Sequence, residues 1–149
     1  MSQHGGIFWD AVEGRTDGPP AAQLLGWKLL KVDREHGAVK IEVLARPEFL
    51  NPIGVIQGGF LTAMLDEALG GAIAVILGEK QFAPTVELKV NFIRSARVGP
   101  LVAEGRIVHR GLSLVFLQAE LHTPEGLLIA TASATAQIQT ISKRPRETT

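Results

Sequence analysis

The chain has 149 residues, of which 46% are hydrophobic and 20% are charged, and this composition predicts one globular domain with a sizeable core. Its 15 basic and 15 acidic side chains cancel, so no net field attracts nucleic acid or an anionic membrane, and neither is expected as a partner. The chain has no cysteine, which excludes disulfides, thiolate nucleophiles and Cys-based metal sites.

The two ends of the chain are predicted to lie outside the folded domain. Residues 1–20 are rich in glycine and contain a Pro-Pro pair, which favours a loosely ordered leader, with docking of Ile7, Phe8 and Trp9 as the alternative. They lack the basic and apolar regions of a secretory signal, so the protein is expected in the cytoplasm. A single domain is predicted over residues 21–141, and the polar residues 142–149 are predicted to be a disordered tail.

Most of the domain shows the two-residue alternation of antiparallel strands. Apolar side chains at Val86, Leu88, Val90 and Phe92, for example, alternate with polar ones. The predicted elements, in chain order, are a short helix at 21–25, strands at 26–35 and 38–44, a long helix at 58–77, and strands at 85–92, 101–109, 113–122 and 127–138.

The long helix is apolar nearly all round, which predicts that it is buried. Asp66 and Glu67 lie at its midpoint, and charges at that depth argue against a membrane span. On a helical wheel Gly59, Thr62, Asp66 and Gly70 form one stripe of small and polar residues. Alternate alanines on the last strand, at 130, 132, 134 and 136, would let a bulky element approach closely. We therefore predict an α+β domain in which five or six antiparallel strands wrap one long central helix.

The start of this helix has the features of an oxyanion-binding site. Gly58 and Gly59 leave the backbone accessible, and N–H groups in the first turn are unpaired donors at the positive end of the helix dipole. Such donors stabilise a carbonyl oxygen that develops negative charge. Asp66 would then act as a nucleophile or as a base that activates water. The alternative for Asp66 is a buried structural carboxylate that accepts hydrogen bonds from Thr or backbone groups.

Distance argues against a site within one chain. Gly58 and Asp66 are eight residues apart, about 12 Å along a helix axis, so one carbonyl group cannot contact both. Two copies with antiparallel helices would bring the N-terminus of one beside Asp66 of the other, which predicts a homodimer with two composite sites. The neighbouring Glu67 points about 100° away and is expected to meet solvent or a subunit boundary. No metal site is expected, since the four histidines, at 4, 36, 109 and 122, show no ligand spacing.

The block Asn51-x5-Gln57-Gly58-Gly59-x6-Asp66 resembles the hotdog-fold thioesterases of the PaaI and 4-hydroxybenzoyl-CoA thioesterase kind. The resemblance continues through segments of the predicted strands and covers about residues 26–138. It implies a hotdog fold, composite sites between the two subunits of a dimer, and pairing of such dimers into tetramers.

The resemblance also implies roles for individual residues. Asp66 matches the catalytic carboxylate, Gly58 the residue whose backbone N–H polarises the thioester carbonyl, and Asn51 a polar group near the sulfur or the nucleophilic water. Thr85 is the nearest match to the Ser or Thr that assists the water. Gln57 departs from the pattern because most relatives have His there, and a neutral amide cannot act as an acid or base.

Coenzyme A carries phosphates, for which Arg94, Arg97 and Arg110 are the candidate ligands, each with ordinary solvated turn charge as the alternative. Gly59 and Thr62 of the stripe would contact the substrate. The acyl chain is predicted to lie along the helix, and the residues predicted around it are Leu61, Met64 and Leu65, bounded by Phe60 and Phe82.

The function predicted from the sequence is hydrolysis of an acyl-CoA thioester to a free acid and CoA. No separate cofactor is expected, because CoA is part of the substrate. The alternatives are a non-catalytic acyl-CoA-binding protein, in which Gln57 marks lost chemistry, and a dehydratase or hydratase of the same fold. The latter enzymes use a His with a carboxylate, so Gln57 counts more heavily against them.

Overall fold

The computed structural model describes residues 5–141, so the predicted tail at 142–149 and the first four residues of the leader lie outside the described part. Six strands form one antiparallel sheet in the order β1-β2-β5-β6-β7-β4, and β3 and β8 form a short separate ladder. The strands are β1 Lys28–Asp33, β2 Ala38–Ala45, β3 Gln81–Phe82, β4 Thr85–Phe92, β5 Gly99–Arg110, β6 Leu114–His122, β7 Leu128–Gln137 and β8 Gln139–Thr140. The described residues contain three helices, α1 Ile7–Val12, α2 Pro20–Leu24 and α3 Gly58–Ile76, and one 3-10 turn, Pro47–Phe49. The predicted α+β architecture, with one long helix against six antiparallel strands, is confirmed.

Helix α3 packs on the middle of the sheet, most extensively on β5. Its inward side chains, among them Met64, Leu65 and Leu69, are fully buried. The closest approach is at Gly105 of β5, where an added Cβ would lie 2.2 Å from the carbonyl oxygen of Ala68. Only glycine fits there, because the neighbouring atoms are helix backbone and cannot rotate away.

The alanines of β7 contribute to this close packing, as predicted. Their side chains are all buried on the face of the sheet that meets the helix. The tightest contact nevertheless falls on β5, which lies two strands away from β7 in the sheet. This position depends on strand order, which follows from long-range pairing and is not visible in the local alternation of the sequence.

Within this chain α3 is buried on one side only. Gly59, Asp66 and Gly70 of the predicted stripe are exposed, and Thr62 is half-buried. The reason is that the sheet covers only one side of the helix, and within residues 5–141 the opposite side is covered only in part by α1, α2 and their connection. We call this stripe the open face of α3. By length and composition α3 could cross a membrane, but it is also the core helix of the domain, and 44% of it is buried.

Part of the predicted leader is packed on the domain. Residues 7–12 form α1, and Trp9 is only 6% exposed. The ring of Phe8 meets the rings of Trp9 and Trp27 edge-on, with centroid distances of 5.0 and 5.9 Å, and the guanidinium of Arg34 lies 4.2 Å from the Trp9 ring centre. The contacts with Trp27 and Arg34 join residues far apart in sequence, which explains why local composition predicted a loose segment.

Strand β4 lies at one edge of the sheet and pairs only with β7 among the described strands. Two of its apolar side chains, Val86 and Phe92, are 57% and 54% exposed. At one end of β4, Thr85 contacts Asp66, and at the other end the ring of Phe92 lies over Gly58. The free edge of β4 therefore runs beside the open face of α3, and together they form one continuous uncovered surface.

Candidate active site

Asp66 lies in a cleft of about 680 Å³ between the second half of α3 and the N-terminal segment. The side-chain hydroxyl of Thr85 donates a hydrogen bond to Oδ1 of Asp66, at 3.2 Å. This contact joins two residues that the sequence singled out on different elements, the middle of α3 and the start of β4. It holds one carboxylate oxygen of Asp66 in place, and no hydrogen bond to the other oxygen is present among the described residues.

Glu67 lines the same cleft and keeps part of its surface exposed, and its predicted place at a subunit boundary stays a prediction. It is half-buried, and burial together with the neighbouring charge of Asp66 raises the pKa of its carboxyl above the ordinary value. Both effects disfavour the ionised form. The sequence could not reveal this environment, since the burial comes from α1, α2 and the loop between them.

The N-terminus of α3 has the predicted unpaired donors. Within residues 5–141, the N–H groups of Gly58 and Gly59 have no hydrogen-bond acceptor, whereas the next N–H, that of Phe60, donates to the carbonyl of Gln57. A Cβ on Gly58 would lie 3.0 Å from the Phe92 ring, while one on Gly59 would meet nothing within 4 Å. The backbone at Gly59 is thus open to a ligand, and Phe92 shelters one side of the Gly58 donor.

Asn51 and Gln57 belong to the loop that leads into this N-terminus. Oδ1 of Asn51 accepts hydrogen bonds from the N–H groups of Ile53 and Val55, so its carbonyl oxygen shapes the loop. Gln57 is exposed and precedes the helix, without a hydrogen bond from its side chain to the first turn. Both residues therefore lie near Gly58, and neither lines the cleft at Asp66.

The structure does not bring the two halves of the predicted site together within one chain. Gly58 and Asp66 belong to the same uninterrupted helix, so the separation of about 12 Å remains. Thr62 lies halfway between them, and its hydroxyl donates to the carbonyl of Gly58 at 2.9 Å. The donors and the carboxylate thus occupy the two ends of one open helix face.

The three arginines predicted to bind the CoA phosphates lie at opposite ends of α3. Arg94 and Arg97 lie on the loop after β4, which contacts the loop before α3 through a hydrogen bond from the N–H of Ile56 to the carbonyl of Ala96. Arg110 lies at the other end of α3, where it donates to the carbonyl of Ile76 at 2.9 Å. Arg94 also donates to a backbone carbonyl, that of Leu128. Only the first two are therefore close to the helix N-terminus.

The predicted path of the acyl chain is wrong. Leu61, Met64 and Leu65 are buried against the sheet, because they occupy the side of α3 opposite to Asp66. Phe60 is stacked on Phe49, with 4.1 Å between ring centres, and closes the core below the helix start. The open apolar space lies instead beside the second half of α3, under the N-terminal helices.

A second groove of about 660 Å³ crosses the outer face of the sheet. It is lined by polar side chains of several strands that bond to each other, such as Lys40 with Glu104 at 2.9 Å and Arg106 with Gln118. It contains none of the predicted site residues. The cleft at Asp66 is therefore the candidate active site.

The comparison with known proteins agrees with this geometry. Residues 53–130, just over half of the chain, match the family model of the thioesterase superfamily. The chain belongs to the thioesterase superfamily. The match includes α3 with Gly58 and Asp66, and β4 with Thr85.

Individual relatives of this thioesterase extend the match. The chain is 32% identical to a candidate esterase of Pseudomonas aeruginosa over 115 residues, which cover 76% of this chain and 84% of the relative. It is 33% identical to the crystal structure of a candidate thioesterase from Ralstonia eutropha, a phenylacetic acid degradation-related protein, with a TM-score of 0.84 and coverage of 89% and 99%. The Escherichia coli PaaI protein, from the phenylacetic acid degradation operon, has 18% identity, a TM-score of 0.77 and coverage of 91% and 97%, and shows the fold alone.

These relatives confirm the predicted recognition and fold, that of a PaaI-like hotdog protein. They also support a thioester hydrolase as the enzyme class. What the sequence analysis missed is the cleft itself, with Glu67, Phe8 and Trp27 on its walls. The only signal was the pair of aromatic residues in an otherwise glycine-rich leader.

Proposed function

We propose that this thioesterase hydrolyses acyl-CoA thioesters to a free acid and CoA, with Asp66 as the catalytic carboxylate. The hydrogen bond between Thr85 and Asp66, at the mouth of an apolar cleft, is the observation that carries the proposal. A carboxylate with one oxygen fixed and the other free has the arrangement needed for attack or for proton transfer. The thiol product is compatible with a cytoplasmic location, which we also propose.

In the proposed reaction the N–H groups of Gly58 and Gly59 stabilise the negative charge that develops on the thioester oxygen. Asp66 either attacks the carbonyl carbon, with loss of CoA as a thiolate and hydrolysis of the resulting anhydride, or takes a proton from the attacking water. In the second route the C–S bond breaks as the tetrahedral intermediate collapses, and the proton passes to the departing sulfur. Rapid quenching and mass spectrometry for an acylated Asp66 distinguish the two routes.

Gln57 and Asn51 are proposed to position the thioester group beside these donors, and Arg94 and Arg97 to bind CoA phosphates. Both arginines are exposed near the helix N-terminus, and Arg97 has no hydrogen-bond acceptor among the described residues. Arg110 is the weaker candidate because it lies at the far end of α3, away from the helix N-terminus.

Each active site is proposed to combine the helix N-terminus of one subunit with Asp66 of the other. If the antiparallel α3 helices bring Gly58 of one copy to Asp66 of the other, the two-fold axis passes near the midpoint, Thr62. Small residues on the open face permit helix axes about 8–10 Å apart. For a Cα radius of ~2.3 Å, facing Cα atoms of the two helices would then be about 3.4–5.4 Å apart. The free edge of β4 adjoins this face and would be covered by the same partner.

This arrangement is tested by disulfide cross-linking of the Thr62→Cys variant. Facing Cα atoms about 4–7 Å apart can be joined by a disulfide, and the chain has no other cysteine to confuse the result. We expect a cross-linked dimer under mild oxidation, and none with the exposed control Glu125→Cys. A monomer in solution that hydrolyses acyl-CoA would disprove the composite site. Tetramers, proposed as pairs of dimers, would appear by light scattering without cross-linking.

The activity is tested by thiol release from a panel of aliphatic and aromatic acyl-CoAs. We expect Asp66→Asn to lose at least about 100-fold in kcat/KM, roughly 2.7 kcal/mol of transition-state stabilisation. Glu125→Gln, on an exposed turn, serves as the matched acidic control. Binding of acyl-CoA without hydrolysis by the wild type would identify a non-catalytic binding protein, and hydration of an enoyl-CoA would identify a hydratase.

A further inference from the structure

The N-terminal segment gives the cleft an apolar wall. Phe8 of α1 and Trp27 pack edge to face and line the cleft opposite α3. Phe8 packs against the core beside Gly71, where an added Cβ would lie in ordinary contact with the Phe8 ring, at 3.5 Å, and in tight contact with a methyl group of Val39, at 3.0 Å. The wall is therefore held by contacts of Phe8 and Trp27 with the core.

The floor of the cleft is formed by small residues on the second half of α3. Gly70 follows Asp66 by one helical turn, and a Cβ added there would meet nothing within 4 Å. Ala74 lies one further turn along and also lines the cleft. A group bonded to a carbonyl at Asp66 can therefore extend along the helix, over Gly70, beneath Phe8.

The charges that line this space all have the same sign. Three carboxylates face it, from Asp17, Asp66 and Glu67, and no Lys, Arg or His is among the described lining residues. The raised pKa of Glu67 agrees with this, since neither burial nor Asp66 favours a further negative charge there. An acyl group with its own carboxylate would lose water in the cleft without gaining a cation as partner.

We propose that the cleft selects uncharged, apolar acyl groups and rejects acyl groups that end in a carboxylate, with Asp17 and Glu67 as the residues that determine this specificity. The proposal rests on the proposed acyl-CoA thioesterase function and names the class of acyl group that it takes. The repulsion acts on the acyl end alone, so it leaves recognition of the CoA phosphates to other residues. It is a case of specificity through an unfavourable contact with the wrong substrate.

The test compares hexanoyl-CoA with adipoyl-CoA, which share a six-carbon acyl chain and differ in the terminal carboxylate. We expect wild-type kcat/KM for adipoyl-CoA to be lower by about 30-fold or more, as for like charges roughly 8 Å apart at an effective dielectric of ~20. The preference, defined as kcat/KM for hexanoyl-CoA divided by kcat/KM for adipoyl-CoA, should be smaller in Glu67→Gln than in the wild type. Asp17 lies on an exposed loop that tolerates charge reversal, and Asp17→Lys should reduce the preference for hexanoyl-CoA further. The exposed control Glu125→Gln should leave the preference for hexanoyl-CoA unchanged.

The outcomes separate this inference from the proposed function. Equal hydrolysis of the two substrates by the wild type would overturn the inference and leave the thioesterase proposal intact. A strong preference for hexanoyl-CoA that neither variant weakens would also overturn it, because the discrimination would then have another source. Failure to hydrolyse any acyl-CoA would overturn the proposed function and this inference together.

Discussion

The two sides of α3 share one helical backbone but differ in packing, since one side contacts the sheet and the other borders open space. On the inner side, Ala68 touches Gly105 of the sheet so closely that no Cβ fits between them. On the open face, Gly70 has no neighbour within 4 Å of an added Cβ, and Asp66 is exposed in the cleft. The glycines therefore serve opposite purposes, since one permits backbone contact and the other leaves space for a ligand.

The largest expected effect comes from exchanging glycine for alanine on each side. Gly105→Ala should destabilise the domain by at least ~3 kcal/mol, because the new methyl group meets helix backbone that cannot move independently. Gly70→Ala should stabilise it by about 0.5–1 kcal/mol, through better helix propensity in open space. Chemical denaturation of both variants measures the difference. Equal stabilities would contradict the asymmetry of the two sides.

The next largest effect is expected at Thr85, which connects the free edge of β4 to the open face. Thr85→Val keeps the shape but removes the donor to Asp66, so we expect about a 10-fold loss in kcat, which corresponds to one hydrogen bond worth about 1.4 kcal/mol. Stability should change little. Thr131→Val, on the outer face of the sheet, is the matched control. Unchanged kcat in Thr85→Val would remove Thr85 from the site.

A smaller effect is expected at Glu67, on the way the free energy of unfolding changes with pH. Its pKa is raised in the folded state, so the folded protein binds more protons than the unfolded chain at pH values above about 4.5, the ordinary pKa. Wild-type stability should therefore fall as pH rises through this range. The facing groups, Asp66 and Asp17, add no compensating positive charge.

Glu67→Gln should remove this loss of stability. The variant should unfold at a higher temperature than the wild type at pH 8, and the difference should shrink toward pH 4, where Glu67 is protonated in both states. Thermal unfolding at both pH values measures it. A variant that is less stable at pH 8 would show that ionised Glu67 has a favourable partner, for example from a second subunit.

The smallest effect is expected far from both sides of α3, at the β1–β2 turn. Asp33 and His36 form an exposed ion pair at 2.9 Å, which lowers the pKa of Asp33 and raises that of His36 through their hydrogen bond. Its contribution is present above the ordinary Asp pKa of 3.8 and below the ordinary His pKa of 6.5. His36→Gln should lower stability slightly at pH 5 and less at pH 8. A larger loss at pH 8 would contradict the pairing.

The sequence predicted the elements well where the signal is local. The alternation at 85–92 matches β4, and the apolar run with glycines at its start matches α3 within one residue. The spacing of Gly58 and Asp66 was also sufficient to predict that donors and carboxylate are about 12 Å apart, since helix rise is constant. The contact between Thr85 and Asp66 was anticipated only through the family resemblance.

Tertiary structure alone decided which side of α3 is covered, and with it the position of the cleft. The helical wheel marked the stripe that contains Asp66 as small and polar, but it did not say that the sheet covers Met64 and Leu65 and leaves this stripe open within the chain. The wall at Phe8 arises from contacts between α1 and residues about twenty positions later or more, which no local pattern encodes. The sequence by itself therefore determined the elements and the chemistry available to the chain. Strand order and long-range packing determined where that chemistry meets a ligand.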